Sequence, residues 1–311
     1  MRVLFWGTPE FATPALRALL GEGHDVVAVV TQPDRPRARG GRSRSQLDAS
    51  PVKAVAMEEG LAILQPDRPR GTAFVTELRA LEADVSVVVA YGHILPQEVI
   101  DLPRFGTLNI HASLLPRYRG AAPIQAAIRD GCTETGVSIM RMVPALDAGP
   151  VILALTTDIL PDETGGELQL RLSELGAEGL VEALALVELG GAVETPQDDA
   201  QATYASKLTR EGARVDWSAH ATAVHCLVRA YDPRPGAWTT RGDAEVRLFG
   251  ARGTDRRAGA PGTVLDVDAT GMLVACGEGS VRVAEVHPAG RRRQPAAEWE
   301  RGRGVARGDR L

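Results

Sequence analysis

The 311-residue chain lacks long apolar runs, the feature that would indicate a membrane protein. No run approaches the roughly 18 apolar residues of a membrane-spanning helix. The first residues also lack the basic and then apolar pattern of a secretory signal. We therefore expect no membrane association and a cytoplasmic location.

Cysteine and glycine motifs are also sparse. Cys132, Cys226 and Cys276 are odd in number and far apart, which favours reduced thiols over a disulfide framework or a CxxC metal site. We predict no bound metal. Gly7 ends the first apolar run, but no GxGxxG pattern follows it, so dinucleotide binding is not indicated.

Charge is divided unequally along the chain. The net charge of −5 consists of −9 for residues 1–208 and +4 for residues 209–311, where 17 Arg accompany 13 Asp and Glu. The acidic N-terminal part argues against a surface wholly covered by nucleic acid. The basic C-terminal part, in contrast, can attract phosphates electrostatically. Because Lys53 and Lys207 are the only lysines, the arginine content also reflects a compositional bias of the genome.

Short apolar runs alternate with helical patterns in the first part of the chain. This order predicts a mostly parallel, Rossmann-like doubly wound α/β sheet with helices on both faces. The predicted strands are Val3 to Phe5, Val26 to Val30, Val85 to Ala90, Leu108 to Ile110 and Val137 to Met140. The predicted helices are Pro14 to Leu20, Pro51 to Glu59, Ala73 to Leu81, Ile124 to Arg129 and, last, Gly166 to Leu189.

The pattern changes after residue 189. Residues 190–208 are polar and predict a linker, and a helix is expected near Ser218 to Ala230. Short strands separated by Gly and Asp turns follow, as in a small antiparallel barrel. We therefore expect a catalytic domain at 1–189, a linker at 190–208 and a second domain at 209–311.

The segment TLNIHASLLPRYRGAAPIQ, from Thr107 to Gln125, is the strongest candidate for chemistry. Alternate side chains of a strand share a face, so Asn109 and His111 can point together at one reacting atom. A strand end of a parallel sheet is also where ligands settle. The plainer interpretation is that His111 is a structural side chain at the end of a strand.

A second segment weakens that plainer interpretation. In MVPALDAGPVI, Asp147 lies in a Gly- and Pro-bounded loop between apolar strands, where a carboxylate can orient and charge a nearby imidazole. Asn109 and Asp147 could equally be turn residues that satisfy local backbone groups.

The chain resembles the methionyl-tRNA formyltransferases, which use 10-formyltetrahydrofolate. The resemblance covers nearly the whole chain and is carried by RVLFWGTPEFATPAL, TQPDRPRARGG, VVVAYGHILP, SLLPRYRGAAPIQ and LDAGPVI. It implies formyl transfer to the α-amino group of methionyl-initiator tRNA, which gives N-formylmethionyl-tRNA for translation initiation. It also implies a tRNA-binding, OB-like barrel at 209–311, and we expect a monomer.

The resemblance also assigns site residues. Asn109, His111 and Asp147 would form the catalytic set, with Asn109 and protonated His111 stabilising the oxyanion. Apolar walls for the folate would come from two segments, for which the alternative is ordinary core packing. These folate-binding residues are Ser113, Leu114, Leu115, Pro116, Ile94 and Leu95.

The segment from Pro33 to Pro51 is too rich in Gly, Pro and Arg for a regular element and carries a charge of +3. Such a loop can grasp an RNA backbone, although charged loops are commonly only solvated. The resemblance implies that it enters the acceptor end of the initiator tRNA. Arg39 best matches the arginine that reads this end, and Arg37 and Arg42 are the alternatives.

Two other classes of function stay open. One is a formyl enzyme that acts on a sugar amine, on a nucleotide precursor or on water. A small acceptor would not need the arginine-rich loop and the basic second domain. The other is an RNA-binding protein without catalysis, against which the intact NxH and LDxGP motifs argue.

Overall fold

The computed structural model describes residues 1–36, 47–255 and 259–311. They divide into two compact units. The first contains Met1–Arg119, Gly136–Thr156 and Leu170–Tyr204, and the second contains Gly120–Thr135, Thr157–Gln169 and Ala205–Leu311. The boundaries expected at residues 189 and 208 stay a prediction.

The helices and strands follow the apolar pattern of the sequence. Up to residue 205 the strands are β1 (Arg2–Gly7), β2 (Asp25–Val30), β3 (Arg35–Pro36), β4 (Leu47–Asp48), β5 (Ile63–Leu64), β6 (Val85–Val89), β7 (Thr107–His111), β8 (Arg119–Gly120), β9 (Glu134–Arg141), β10 (Val151–Asp158) and β11 (Tyr204–Ala205). The helices of the same part are α1 (Thr13–Gly21), α2 (Pro51–Glu58), α3 (Thr72–Ala80), α4 (Gln97–Ile100), α5 (Pro123–Arg129) and α6 (Gly165–Glu188).

The first unit is built on a sheet with the strand order β10-β9-β7-β6-β1-β2-β5. β1 is parallel to β2 and β6, β2 is parallel to β5, and β6 is parallel to β7. β9 runs antiparallel to β7. The prediction of a mostly parallel sheet is confirmed, and the carboxyl ends of β6 and β7 lie side by side.

Both faces of this sheet are buried. In β1, Val3 and Phe5 belong to one apolar core, which also contains residues of α1, α2 and α6. Leu4 and Trp6 belong to a second core, which contains residues of α3 and α4. Because successive side chains of a strand point to opposite faces, helices cover the sheet on both sides, as the doubly wound prediction requires.

The second unit contains an antiparallel sheet. Beyond residue 205 the elements are α7 (Ala221–Tyr231), β12 (Ala237–Arg241), β13 (Ala244–Asp255), β14 (Val264–Asp268), β15 (Gly271–Ala275), β16 (Ser280–Pro288), β17 (Gln294–Pro295) and α8 (Ala296–Arg301). The strands follow the order β12-β13-β16-β15-β14, with β17 beside β16. The predicted helix near 218–230 and the short antiparallel strands are confirmed.

Two further findings concern membrane-spanning helices and cysteines. In the part of the chain that the structure describes, no helix is both long and apolar enough to cross a bilayer. Cys132, Cys226 and Cys276 are free, and the last two are buried.

A cluster of ionisable side chains, in which His225 and Arg229 are buried, joins α7 to neighbouring segments of the second unit. His225 is 7% exposed, and its Nε2 lies 3.0 Å from Asp162 Oδ1, which also accepts from the Gly253 amide. Arg229, which is 5% exposed, donates to the carbonyls of Leu160 and Glu163. Burial lowers the pKa of His225, and the charge of Arg229 lowers it further despite Asp162.

We predict that this cluster makes folding stability depend on pH. Because the pKa of His225 is below the ordinary value of 6.5, its neutral ring contributes stability above that pH, and this contribution is lost as the pH falls. The midpoint temperature of thermal unfolding should therefore decrease as the pH is lowered from about 7.5 to about 5. In His225→Gln, this decrease should be smaller. The exposed His93, changed to Gln, is the control; an unchanged decrease in His225→Gln would contradict the assignment.

Candidate functional site

Strand β7 places Asn109 and His111 on one face of the sheet. Leu108 and Ile110, which alternate with them, are 0% and 5% exposed and pack in the core beneath α6. The opposite face is left for Asn109 and His111 at the carboxyl end of the strand. Asn109 is half-buried, and its carboxamide has no hydrogen-bond partner among the described residues. Both of its donor hydrogens can therefore turn to a ligand.

His111 has a partner near each ring nitrogen, although only one of them is within hydrogen-bond distance. Its Nε2 lies 2.9 Å from the Tyr118 carbonyl oxygen, and its Nδ1 lies 3.8 Å from Asp147 Oδ2. The His111 and Asp147 side chains are only 7% and 16% exposed. Because a carbonyl can only accept, Nε2 carries a proton and donates it to Tyr118. Nδ1 is therefore the nitrogen that can exchange a proton with Asp147 or a ligand.

The loop after β7 explains why the Tyr118 carbonyl lies beneath the ring. Ser138 lies on β9, opposite His111 of β7. Its hydroxyl donates to the Ser113 carbonyl at 2.8 Å and accepts from the Leu115 amide at 3.1 Å. Ser113 in turn donates to the Arg117 carbonyl at 2.6 Å. Hydrogen bonds of Ser113, within the SLLPRYRG motif, and of Ser138, on β9, therefore fix the conformation of this segment.

Asp147 lies in a turn whose sequence is equally constrained. Its φ of +47° is in the left-handed region, which Asp tolerates better than most residues. Two residues later, a Cβ on Gly149 would overlap the Arg141 carbonyl oxygen. Only glycine fits there while Arg141 donates its amide to the Pro150 carbonyl at 2.9 Å. The residues of the LDAGP motif therefore determine the position of the Asp147 carboxylate.

The six predicted folate-binding residues lie in the segments that follow β6 and β7, which are adjacent strands. Leu114, Leu115 and Pro116 are half-buried, whereas Ser113 is fully buried. Ile94 is 85% exposed. Leu95 is 2% exposed and packs in the core on the α3 and α4 side.

Arg37, Arg39 and Arg42 lie outside the described residues, but the residues on both sides of this arginine-rich segment are described. Lys53 Nζ binds Asp34 Oδ2 at 2.5 Å and Gln65 Oε1 at 2.8 Å. Gln65 Nε2 donates to the Gln32 carbonyl and to Asp34, each at 2.9 Å. The hydrogen bonds from Lys53 and then Gln65 hold the pKa of Asp34 below its usual value. This network fixes the chain where it enters the arginine-rich loop.

Three side chains beside the candidate site residues were not singled out from the sequence. Lys53 anchors the loop base, Arg119 is 3% exposed, and Gln197 donates to the Asp147 carbonyl at 2.8 Å. The place of Arg119 in the SLLPRYRG motif was a usable signal. Gln197 had none, because it lies in a polar segment 50 positions beyond Asp147.

The set is suited to acyl transfer. A carboxamide with available donors and an imidazole beside a carboxylate can stabilise a developing oxyanion and move a proton. Within residues 1–36, 47–255 and 259–311, no group of three or more His, Cys, Asp and Glu side chains is arranged to hold a metal ion.

Comparisons with known proteins agree with this chemistry. Residues 1–184 match the formyl transferase family, and residues 207–304 match the formyl transferase C-terminal domain. The chain is 47% identical to a methionyl-tRNA formyltransferase of Methylobacterium sp. (strain 4-46), over 100% of this chain and 99% of that one.

Two solved structures share the fold at low sequence identity. HypX from Aquifex aeolicus, in complex with tetrahydrofolic acid, is 22% identical with a TM-score of 0.65; the match covers 96% of this chain but 46% of that one. WlaRD, a sugar 3N-formyl transferase, is 14% identical with a TM-score of 0.68, over 94% and 99% of the two chains. Given the family matches and the close relative, the chain belongs to the methionyl-tRNA formyltransferase family.

Proposed function

We propose that the protein transfers the formyl group of 10-formyltetrahydrofolate to the α-amino group of methionyl-initiator tRNA, yielding N-formylmethionyl-tRNA for translation initiation. In a chain of this family, the observation that carries the proposal is the 3.8 Å approach of His111 Nδ1 and Asp147 Oδ2 beside Asn109. Asn109, His111 and Asp147 are the proposed catalytic residues.

The first step is attack of the amine nitrogen on the formyl carbon. A carbon–nitrogen bond forms, and the formyl oxygen becomes an oxyanion. The Asn109 amide and a protonated Nδ1 of His111 are the donors for this oxygen, because Nε2 already donates to the Tyr118 carbonyl. Donors held in place before the reaction stabilise developing charge without a cost of reorganisation.

The second step breaks the bond between the formyl carbon and N10. The attacking amine must lose a proton and the departing N10 must gain one, so the overall transfer is neutral. Asp147 is the proposed carrier, since its carboxylate is 16% exposed and lies next to His111. Of the six predicted folate-binding residues, the half-buried Leu114, Leu115 and Pro116 and the exposed Ile94 are proposed to contact the folate. Leu95 packs in the core and the buried Ser113 donates to the Arg117 carbonyl, so these two are proposed to support the walls of the folate site.

The proposed acceptor is supported by charge as well as by the name of the close relative. Residues 209–311 carry a net charge of +4, and the segment 33–51 carries +3. Phosphates dominate the affinity of proteins for nucleic acids. We propose that the C-terminal domain is an OB-like barrel that holds the tRNA body while one of Arg37, Arg39 and Arg42 reads its acceptor end.

Three further expectations belong to this proposal. The protein acts in the cytoplasm, where charged tRNA is used. It works as a monomer, which light scattering on a gel-filtered sample would check against the chain mass of 33.0 kDa. The catalytic domain ends near residue 189, and the tRNA-binding domain begins near residue 209.

The function itself predicts selective formylation. Purified protein incubated with 10-formyltetrahydrofolate should formylate charged initiator tRNA and leave charged elongator tRNA unmodified. A reaction without acceptor measures transfer to water. Equal formylation of both tRNAs would contradict the proposed selectivity, and formyl loss only to water would contradict the proposed acceptor.

The catalytic residues predict a loss of turnover. Asn109→Ala and His111→Ala should each lower kcat by roughly 10²- to 10⁴-fold, because each removes a donor to the oxyanion. Single-turnover formylation at saturating substrates is the measurement. His287→Ala, in the second unit, is the matched control. A variant with near-normal turnover would remove its residue from the set.

The proposed role of the arginine-rich loop predicts weaker use of the tRNA acceptor and unchanged use of the folate donor. Arg39→Ala should raise the KM for initiator tRNA by about 10-fold or more, as expected for one lost charged contact at the acceptor end. The KM for 10-formyltetrahydrofolate should stay the same. Arg37→Ala and Arg42→Ala, measured in parallel, would identify the residue that reads the tRNA. An equal loss with a free aminoacyl acceptor would contradict the role.

A further inference from the structure

Gln197 and Thr203, which follow α6, contact the turn that carries Asp147 and the loop that holds the His111 ring. These residues fall between the two family matches, which end at 184 and begin at 207. We infer that Gln197 is a positioning residue for Asp147, and that Gln197 and Thr203 complete the catalytic site. The inference rests on the proposed role of Asp147.

The first contact is with the Asp147 turn. Gln197 Nε2 donates to the Asp147 carbonyl at 2.8 Å and to the Gly149 carbonyl at 2.7 Å. These bonds use both hydrogens of the amide and hold the two ends of the Asp147–Gly149 turn together. Because Asp147 has a φ of +47°, a conformation that is sparsely populated by residues with side chains, the turn needs such external support.

The other end of the Gln197 amide is equally fixed. Its Oε1 accepts from Arg119 Nε at 3.0 Å and from Nη2 at 2.8 Å. Arg119 is 3% exposed, and its Nη2 also binds Asp199 Oδ1 at 2.7 Å. A guanidinium only donates and a carbonyl only accepts, so the Gln197 amide can take one orientation. A buried arginine therefore sets the direction in which Gln197 donates.

The second contact is with the loop that holds His111. Thr203 Oγ1 accepts from the Tyr118 amide at 2.8 Å, and the Thr203 carbonyl accepts from the Arg119 amide at 2.8 Å. The Thr203 amide donates to the Pro116 carbonyl at 3.3 Å. Tyr118 is the residue whose carbonyl holds His111 Nε2. One segment thus supports the loop beneath the imidazole and, through Gln197, the turn of its carboxylate partner.

The substitution Gln197→Glu isolates the donation to the turn. A glutamate has nearly the same shape and keeps an acceptor for Arg119, but it faces two carbonyl oxygens with an oxygen of its own. Gln197→Met removes the hydrogen bonds without adding charge. Gln201→Glu and Gln201→Met are the matched controls, because Gln201 is exposed on the same segment and its side chain binds Asp198.

Kinetics of the full-length protein test the inference. Both Gln197 variants should lower kcat by about 10- to 100-fold, as expected for a small misplacement of a catalytic group, with KM values for both substrates within about 2-fold of wild type. In an Asp147→Asn background, either change should lower kcat by less than about 2-fold, because the group being positioned is gone. A decrease in kcat of about 10- to 100-fold in the Asp147→Asn background as well would overturn the inference. An equal decrease in kcat in the Gln201 controls would also overturn it.

A spectroscopic readout separates this inference from the proposed function. The ¹H–¹³C resonance of the His111 imidazole should shift in both Gln197 variants in the direction that Asp147→Asn shifts it. The Gln201 controls should leave it in place. If wild-type protein fails to formylate tRNA but this shift is seen, the proposed function is wrong and the positioning role stands. An unmoved resonance in both Gln197 variants would overturn the positioning role whatever the activity.

Discussion

The hydrogen bond from His111 Nε2 to the Tyr118 carbonyl is the interaction on which the site depends. It determines which nitrogen carries a proton in every state of the ring and leaves Nδ1 to face Asp147. Without this bond the imidazole could rotate or change tautomer, and the carboxylate would have no defined partner. Ser113 of the following loop, Ser138 of the paired strand β9 and the Thr203 contacts all hold this carbonyl in place.

The fold supports the site through ordinary features of a parallel sheet. Leu108 and Ile110 anchor β7 in the core on one face, so Asn109 and His111 must occupy the other. The antiparallel β9 provides Ser138 beside His111, and the turn after β9 brings Asp147 back toward the end of β7. Backbone contacts account for the glycine of the LDAGP motif, since the Arg141 carbonyl leaves no space for a Cβ at Gly149.

Much of this arrangement could be predicted from the sequence because it depends on local patterns. The run of apolar residues defined β1, β2 and β6, and the helix expected at 166–189 is α6 at Gly165–Glu188. Alternation along β7 was enough to pair Asn109 with His111. The approach of Asp147 to His111 was predicted through the family resemblance, since spacing in the sequence does not determine contacts between residues so far apart in the chain.

The remaining contacts could not be predicted, because they are specific hydrogen bonds between distant polar residues. The segment 190–208 is polar and was interpreted as a linker, yet Gln197 donates to two carbonyls of the Asp147 turn. Likewise, no periodicity indicates that Lys53, Asp34 and Gln65 meet. Polar side chains have no periodic signature of burial, so only the assembled backbone shows which carbonyls they satisfy.

The place of Gln197 in the chain has a consequence for biosynthesis. A ribosome delivers the seven sheet strands and α6 before it delivers residue 197, so the Asp147 turn is synthesised before the side chain that donates two hydrogen bonds to it. Domains generally fold as units, those nearer the N-terminus first during synthesis. The polar segment that carries Gln197 is therefore the last part of the site to be synthesised, after both strands that flank the turn.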